Sequence, residues 1–250
     1  DVMAAAAAAA AVTRSGEKWG AQIRAVLESV DIVLVRHAKT GKAADATEAA
    51  DRARELNEVG EGQIVRARGG WLGTVGPVCH VFHSTAIRTA ATAAALLEGA
   101  ADPPRTTTAL HSLYGGTNTE TGMVNFPELE AAFTEYLPLR DYLPQCPADG
   151  WERYIGQVVQ EMLPHLTAGD LSPPGADGAA AAAAAAVAAR PVVLVVSHAV
   201  YVSSLASALA AGAGFSDGER EMIASSNVGE VSGFHLSLSP RGIGYVGETL

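Results

Sequence analysis

Three places in the chain put an arginine or a histidine where a run of apolar residues ends. DIVLVRHAKT carries Arg36 and His37, PVCHVFHSTAIRTA carries Ser84 and Arg88, and PVVLVVSHAV carries Ser197 and His198. Arginine presents a rigid fork of donors matched to phosphate oxygens, and two forks can hold three non-bridging oxygens while opposing their charge. A neutral imidazole, with an ordinary pKa of about 6.5, can attack phosphorus in line. Two arginines and two histidines on one rim would therefore bind a phosphoryl dianion, one ring attacking and the other donating to its oxygens. Taken singly, each histidine reads more simply as a polar residue at a strand end.

Whether these groups meet depends on the elements that carry them. Asp31 to Val35 reads as a strand, and PVVLVVS as a strand in mid-sheet, because its apolar run does not alternate. PVCHVFHS and TTTALHSLY are further strands, and GEVSGFHLSLS and IGYVGE form a hairpin through Pro240 to Gly242. Helical spacing runs through DRARELNEVGEGQIVRARGGWLG with a break at Gly60, through TAIRTAATAAALLEGA to near Gly99, through WERYIGQVVQEMLPHL and through AVYVSSLASALAA. Strands separated by helices predict an α/β layered fold with a largely parallel sheet, in which sites form beyond the carboxyl ends of strands. If the three strands are parallel neighbours, Arg36, His37, Arg88 and His198 share one rim.

These blocks resemble the histidine phosphatase superfamily, which includes the phosphoglycerate mutases. LVRHAKT is similar to its Arg-His-Gly signature, DRARELNEVGEGQ to its Arg-x-Leu-x-x-x-Gly stretch through Arg54, Leu56 and Gly60, FHSTAIRTAATA to its serine, arginine and threonine-alanine segment, and VVSHAV to the strand that delivers its second histidine. The Arg-His-Ala-Lys form and SLYGG, with Leu113 and Tyr114, look closest to the branch of SixA-type phosphohistidine phosphatases. The resemblance implies a three-layer α/β/α sandwich, like the phosphoglycerate mutases, and a metal-independent phosphatase without a cofactor. His37 would become the phosphohistidine, Arg36 and Arg88 would clamp the phosphate, and His198 would complete the pocket. Ser84 would orient Arg88 or the pocket backbone, or cap the following helix. The substrate would be a small phosphorylated molecule or a phosphoprotein.

The chain departs from that pattern in three places. Ala38 stands where glycine is usual, and one methyl is tolerated in the similar branch. Ser112 stands where the family's mutases and many of its phosphatases place a glutamate that protonates the leaving oxygen, and a serine hydroxyl is a poor acid. Glu120, Asp45 and Glu48 are the candidate substitutes, each also readable as a solvated loop carboxylate. His83 and His111 sit at strand ends without a metal-like partner in sequence, and are expected beside the pocket or at the edge of the core.

Composition bounds the rest. The 250 residues are 48% hydrophobic and 18% charged, enough to bury a large core. A formal net charge of −10 opposes binding to nucleic acid. The two cysteines, Cys79 and Cys146, show no metal-like spacing, and two buried thiols are expected rather than a disulfide. No apolar run of about 20 residues predicts a membrane span. A start at Asp1 suggests trimming, consistent with a soluble protein in the cytoplasm or in an organelle after loss of a targeting segment. Residues 1–30 read as an alanine-rich extension whose side offers little to pack. Residues 31–250 read as one domain, with an excursion at about 116–150 and an alanine-rich linker at about 171–190. The excursion should contain a short helix around Leu129 to Tyr136. With Ser112 it also raises the alternative of a catalytically weak or inactive subunit with a protein assembly partner.

Overall fold

The computed structural model describes residues 2–114, 137–145, 148–166, 190–239 and 242–247. Among them β1 (Asp31–Arg36), β2 (Val78–Ser84), β3 (Thr106–Leu110), β4 (Val192–Ser197), β5 (Gly233–Ser237) and β6 (Gly242–Val246) form one six-stranded sheet, ordered β3-β2-β4-β1-β5-β6. The pairs β3/β2, β2/β4 and β4/β1 are parallel, while β5 and β6 run antiparallel on one edge. The largely parallel sheet expected from the sequence is present in β3, β2, β4 and β1, and the antiparallel edge makes the six-stranded sheet a mixed one. The described helices are α1 (Val2–Lys18), α2 (Gly20–Ser29), α3 (Glu48–Arg52), α4 (Glu58–Gly69), α5 (Ile87–Leu96), α6 (Leu139–Tyr142), α7 (Ala148–Met162), α8 (Ala199–Ala213) and α9 (Asp217–Ser225).

The central strands read as unbroken apolar runs because both of their faces are covered. Ile32, Leu34, Val193 and Val195 enter one core, whereas Val33, Val35, Val192, Leu194 and Val196 enter the other. Helices α1, α2, α7 and α8 supply the first core, and α4 and α5 the second, which makes an α/β/α sandwich. In β2, Cys79 and Phe82 share the first core while Val78 and Val81 share the second. That spacing of three marks a register shift between Val78 and His80, where one extra residue is absorbed. Cys79 is a buried free thiol, and Cys146 lies outside the described residues.

The alanine-rich start packs more closely than its small side chains suggest. Ala8, Ala11 and Val12 of α1 are buried, as are Ile23 and Leu27 of α2. A Cβ on Gly16 would stand 2.0 Å from Ala208 O, and one on Gly212 would stand 2.6 Å from Gly16 O, so α1 and α8 cross almost backbone to backbone. What small residues lose in buried area they regain in dispersion contact at this close approach. The second alanine run, the linker at 171–189, the excursion's residues 116–136 and 146–147, and the helix expected at 129–136 lie outside the described residues.

The glycine expected to break a helix does not break one. Gly60 lies in the first turn of α4, capped by Asn57, whose side chain accepts from Gly60 N. A Cβ at Gly60 would come within 2.2 Å of Lys39 O, so the missing side chain lets α4 press against the backbone just beyond β1.

Candidate active site

Strand register brings the site together. Arg36 pairs with Ser197 across β1 and β4, and β2 reaches the same level, with His83 opposite Val196. His37 and His198 each follow by one residue, and His37 N donates to Ser197 O at 2.9 Å. Their ring centroids are 5.1 Å apart at an interplanar angle of 69°. Arg88, on the first turn of α5, closes the group: its Nε donates to His37 Nε2 at 3.2 Å and its Nη2 to His198 Nδ1 at 3.3 Å. All four side chains are buried.

The hydrogen bonds assign the tautomers. His37 Nδ1 lies 2.7 Å from Ala38 O, and a carbonyl only accepts, so Nδ1 carries the proton and Nε2 keeps its lone pair. His198 accepts from Arg88 at Nδ1, so its Nε2–H donates to Ser84 Oγ at 2.9 Å. Ser84 also accepts from Ala86 N at 3.2 Å and donates to Thr89 Oγ1 at 2.9 Å, and Thr89 donates to Ala86 O at 2.8 Å. Ser84 thus bonds His198 and the backbone at the start of α5, rather than Arg88. Thr92 ties the same helix to the loop that follows β1, accepting from Ala38 N and donating to Arg88 O. Burial, then the positive charges of Arg88 and Arg36, hold the His37 pKa well below the ordinary histidine range. Burial, then Arg88 and the neighbouring His37, do the same for His198. Both rings are neutral at pH 7.

Each arginine is held by a carboxylate that sequence reasoning did not single out. Arg36 Nη1 donates to Val228 O at 3.3 Å, and its Nη2 lies 3.8 Å from Glu230 Oε1, which also takes Lys39 Nζ at 3.1 Å. Glu230 sits in the loop before β5, where Val231 has φ +55°. A β-branched residue there is strained. Arg88 Nη2 donates to Asp51 Oδ2 at 2.8 Å, and Nη1 to the Asp51 carbonyl. Tyr114 OH donates to the same Oδ2 at 2.8 Å, and Arg54 Nη1 to Oδ1 at 3.1 Å. Burial alone would raise the Asp51 pKa, but Arg88, the Tyr114 hydroxyl and Arg54 outweigh it and bring it below the usual carboxylate value. Burial, followed by the Asp51 carboxylate, pushes the Tyr114 phenol upward. The Tyr114 ring stands 5.5 Å from His198, with Arg52 stacked 4.1 Å over it.

The other sequence candidates lie as follows. Asp45 is exposed and accepts from Thr47 N, at the cap of α3. Glu48 pairs with Arg52 at 2.6 Å. His83 is half-buried, its Nδ1 2.7 Å from Ser84 O, and His111 is exposed. Glu120 lies outside the described residues. Ser112 is buried and donates from N and Oγ to Glu161 Oε2, at 3.2 and 2.7 Å. Among the described residues, no group of three or more His, Cys, Asp or Glu gathers to hold a metal, and no helix is long and apolar enough to cross a membrane.

Residues 32–156 match the profile of the histidine phosphatase superfamily (branch 1). No curated protein matches the chain. Among solved structures, it is similar to one assigned as the phosphohistidine phosphatase SixA from Agrobacterium tumefaciens, with 16% identity over 88% of this chain and 99% of that one and a TM-score of 0.46. It is also similar to a protein histidine phosphatase SixA complexed with tungstate, with 15% identity over 86% and 93% of the two chains and a TM-score of 0.43. For the alpha-ribazole phosphatase from Shigella flexneri the values are 14%, 88% and 95%, with a TM-score of 0.44.

Proposed function

The chain belongs to the histidine phosphatase superfamily, branch 1, and from that premise we propose that it is a phosphatase that passes the phosphoryl group through His37. The observation that carries the reading is the state of His37: a neutral ring with Nδ1–H on Ala38 O and the Nε2 lone pair beside Arg88. Substrate binds with its phosphoryl group between Arg36, Arg88 and His198. His37 Nε2 attacks phosphorus and the leaving group departs, giving phosphohistidine. Water then attacks phosphorus, and the P–N bond breaks back to the ring. The positive charges of Arg36 and Arg88 meet the charge that gathers on the phosphoryl oxygens, so the route calls for no metal or cofactor.

The dianion also changes His198. Its Nδ1 now accepts from Arg88, and a bound phosphoryl oxygen would favour a proton there instead. With Nε2–H still on Ser84, the ring would then donate from both nitrogens. The substrate class is a phosphoric monoester or a phosphohistidine, on a small molecule or a protein. The assembly alternative rests on Ser112, the alanine-rich ends and the excursion at 116–150, and most of that excursion lies outside the described residues.

The test is phosphate release from an aryl phosphate, an alkyl phosphate and a phosphohistidine peptide, with His37→Ala in parallel. Loss of the nucleophile should lower kcat by about 10³-fold or more, and an acid-labile phosphoenzyme should form in the natural chain only. Equal background from both folded proteins would overturn the reading.

A further inference from the structure

Asp51 stands where the charge of the pocket is decided. The guanidinium of Arg88 that it binds through Oδ2 at 2.8 Å also reaches His37 at 3.2 Å and His198 at 3.3 Å. The carboxylate is therefore one side chain away from both rings. Its side chain is 32% exposed while His37 and His198 are buried, so Asp51 meets solvent where the two rings do not. A phosphoryl dianion seated on the histidines needs donors of Arg88 that Asp51 holds. The same substrate needs a proton for its leaving oxygen, and Ser112, bonded to Glu161, has none to give at neutral pH.

Resting on the phosphohistidine reading above, we propose that Asp51 is the proton donor to the leaving group and afterwards the base for the hydrolytic water. When the phosphoryl group takes over Arg88, Asp51 loses a cation and gains a dianion as its neighbour, and both changes favour the protonated carboxyl. A monoester arriving as its monoanion, with a second pKa of about 6, hands that proton to Asp51. In the first step the His37 Nε2–P bond forms and the P–O bond breaks. The bonding pair stays on the leaving oxygen, which takes the Asp51 proton. In the second step a water oxygen attacks phosphorus while the Asp51 carboxylate takes a water proton. The P–N bond breaks, its pair returns to Nε2, and Asp51 is again protonated. Tyr114 and Arg54 stay on the carboxylate and aim it. Arg52, stacked on Tyr114, and Glu48, paired with Arg52, complete the charged surroundings.

The experiment compares the natural chain with Asp51→Asn and Asp51→Glu on two substrates: an aryl phosphate whose phenol is acidic, and an alkyl phosphate. Competitive inhibition by inorganic phosphate reports whether the pocket is intact. We expect the kcat/KM of Asp51→Asn, which reports the step that expels the leaving group and not hydrolysis of the shared phosphoenzyme, to fall about 10²- to 10³-fold on the alkyl ester and less than about 5-fold on the aryl ester, since general acid help matters most for a poor leaving group. Phosphate should inhibit at least as strongly, because a competing carboxylate is gone, and Asp51→Glu should recover part of the alkyl rate. Parallel losses of kcat/KM on both substrates, or loss of phosphate inhibition, would overturn the proposal and leave Asp51 a positioning residue for Arg88. A gain on both substrates would overturn it too, making the carboxylate an internal competitor. Turnover that depends on His37 but shows no leaving-group effect in Asp51→Asn strikes this inference alone. No turnover by the natural chain on either ester or on a phosphohistidine peptide strikes the parent reading as well.

Discussion

Arg36 on β1 and Ser197 on β4 are register partners, and because the strands are parallel the residue after each emerges at the same level of the sheet. That single pairing sets His37 beside His198 with ring centroids 5.1 Å apart. A slip of one residue would turn every side chain of one strand to the opposite face and separate the rings. The two buried cores constrain the register, since Val33 and Leu34, like Val193 and Leu194, pack into opposite cores.

Ser84 keeps His198 in one tautomer by accepting its Nε2–H at 2.9 Å. Ser84→Ala would leave that buried N–H and the Ala86 amide without their acceptor, at about 1–3 kcal/mol of stability. Nδ1–H would then become as favourable as Nε2–H, and Arg88 would face a donor. We expect a lower thermal midpoint together with a fall in kcat/KM of roughly tenfold. The ¹⁵N shifts of His198 would read the tautomer directly, and an unchanged Nε2–H pattern in the variant would refute this role.

The parts of this molecule legible in sequence are those encoded locally. Apolar runs mark β1, β2 and β4, and the arginine or histidine after each run is visible because a strand end is a local event. Long-range pairing is not local, and neither are the carboxylates that depend on it. Asp51 lies in EAADRAR, which reads as the solvated start of a helix, and its spacing to Arg54 is ordinary for an ion pair within one helix. Its bond to Arg88 bridges α3 and α5 and has no local signature. Glu230 depends on a loop that holds Val231 at φ +55°, a conformation its residue type disfavours. Gly60 shows the same limit in reverse, since glycine in a helix reads as a breaker until the backbone pressed against it is seen.

Gly60→Ala tests that close approach. Its new methyl carbon would lie 2.2 Å from Lys39 O and 3.0 Å from Lys39 N, both backbone atoms, so α4 or the loop after His37 must shift. Better helix propensity offsets less than about 1 kcal/mol, while overpacking costs about 1–3 kcal/mol. Urea unfolding should show net destabilisation, and phosphate release should fall further than stability alone explains, because the displaced loop carries the proposed nucleophile His37. A variant as stable as the natural chain would show that this contact relaxes freely.

Arg88→Lys separates charge from geometry. Arg88 uses Nε toward His37 and both terminal nitrogens toward Asp51 and His198, and one ammonium cannot span that set. Losing one charged hydrogen bond costs about 1.5–3 kcal/mol, so inhibition by inorganic phosphate should weaken by roughly 10- to 100-fold. Equal phosphate affinity in the lysine variant would mean that net charge alone sets binding.

On the proposed route the buried histidines should set the acid limit of both activity and stability. On that route His37 attacks only when neutral, and its folded pKa lies well below the ordinary 6.5. The acid limb of kcat/KM, which reports the free enzyme, should therefore fall well under pH 6.5. Stability follows the same sign. Below the ordinary value the unfolded rings of His37 and His198 take up protons while the folded rings do not, so the unfolded state binds more protons and stability rises with pH. That contribution is fully present above pH 6.5 and is lost as pH falls toward the lowered folded values of both rings. Bound phosphate should shift the limb upward, since a dianion beside His198 favours its charged form. Urea midpoints across pH 4 to 8, with and without phosphate, check the sign, and a midpoint that does not fall between pH 6.5 and the acid end would show that the rings are not held neutral.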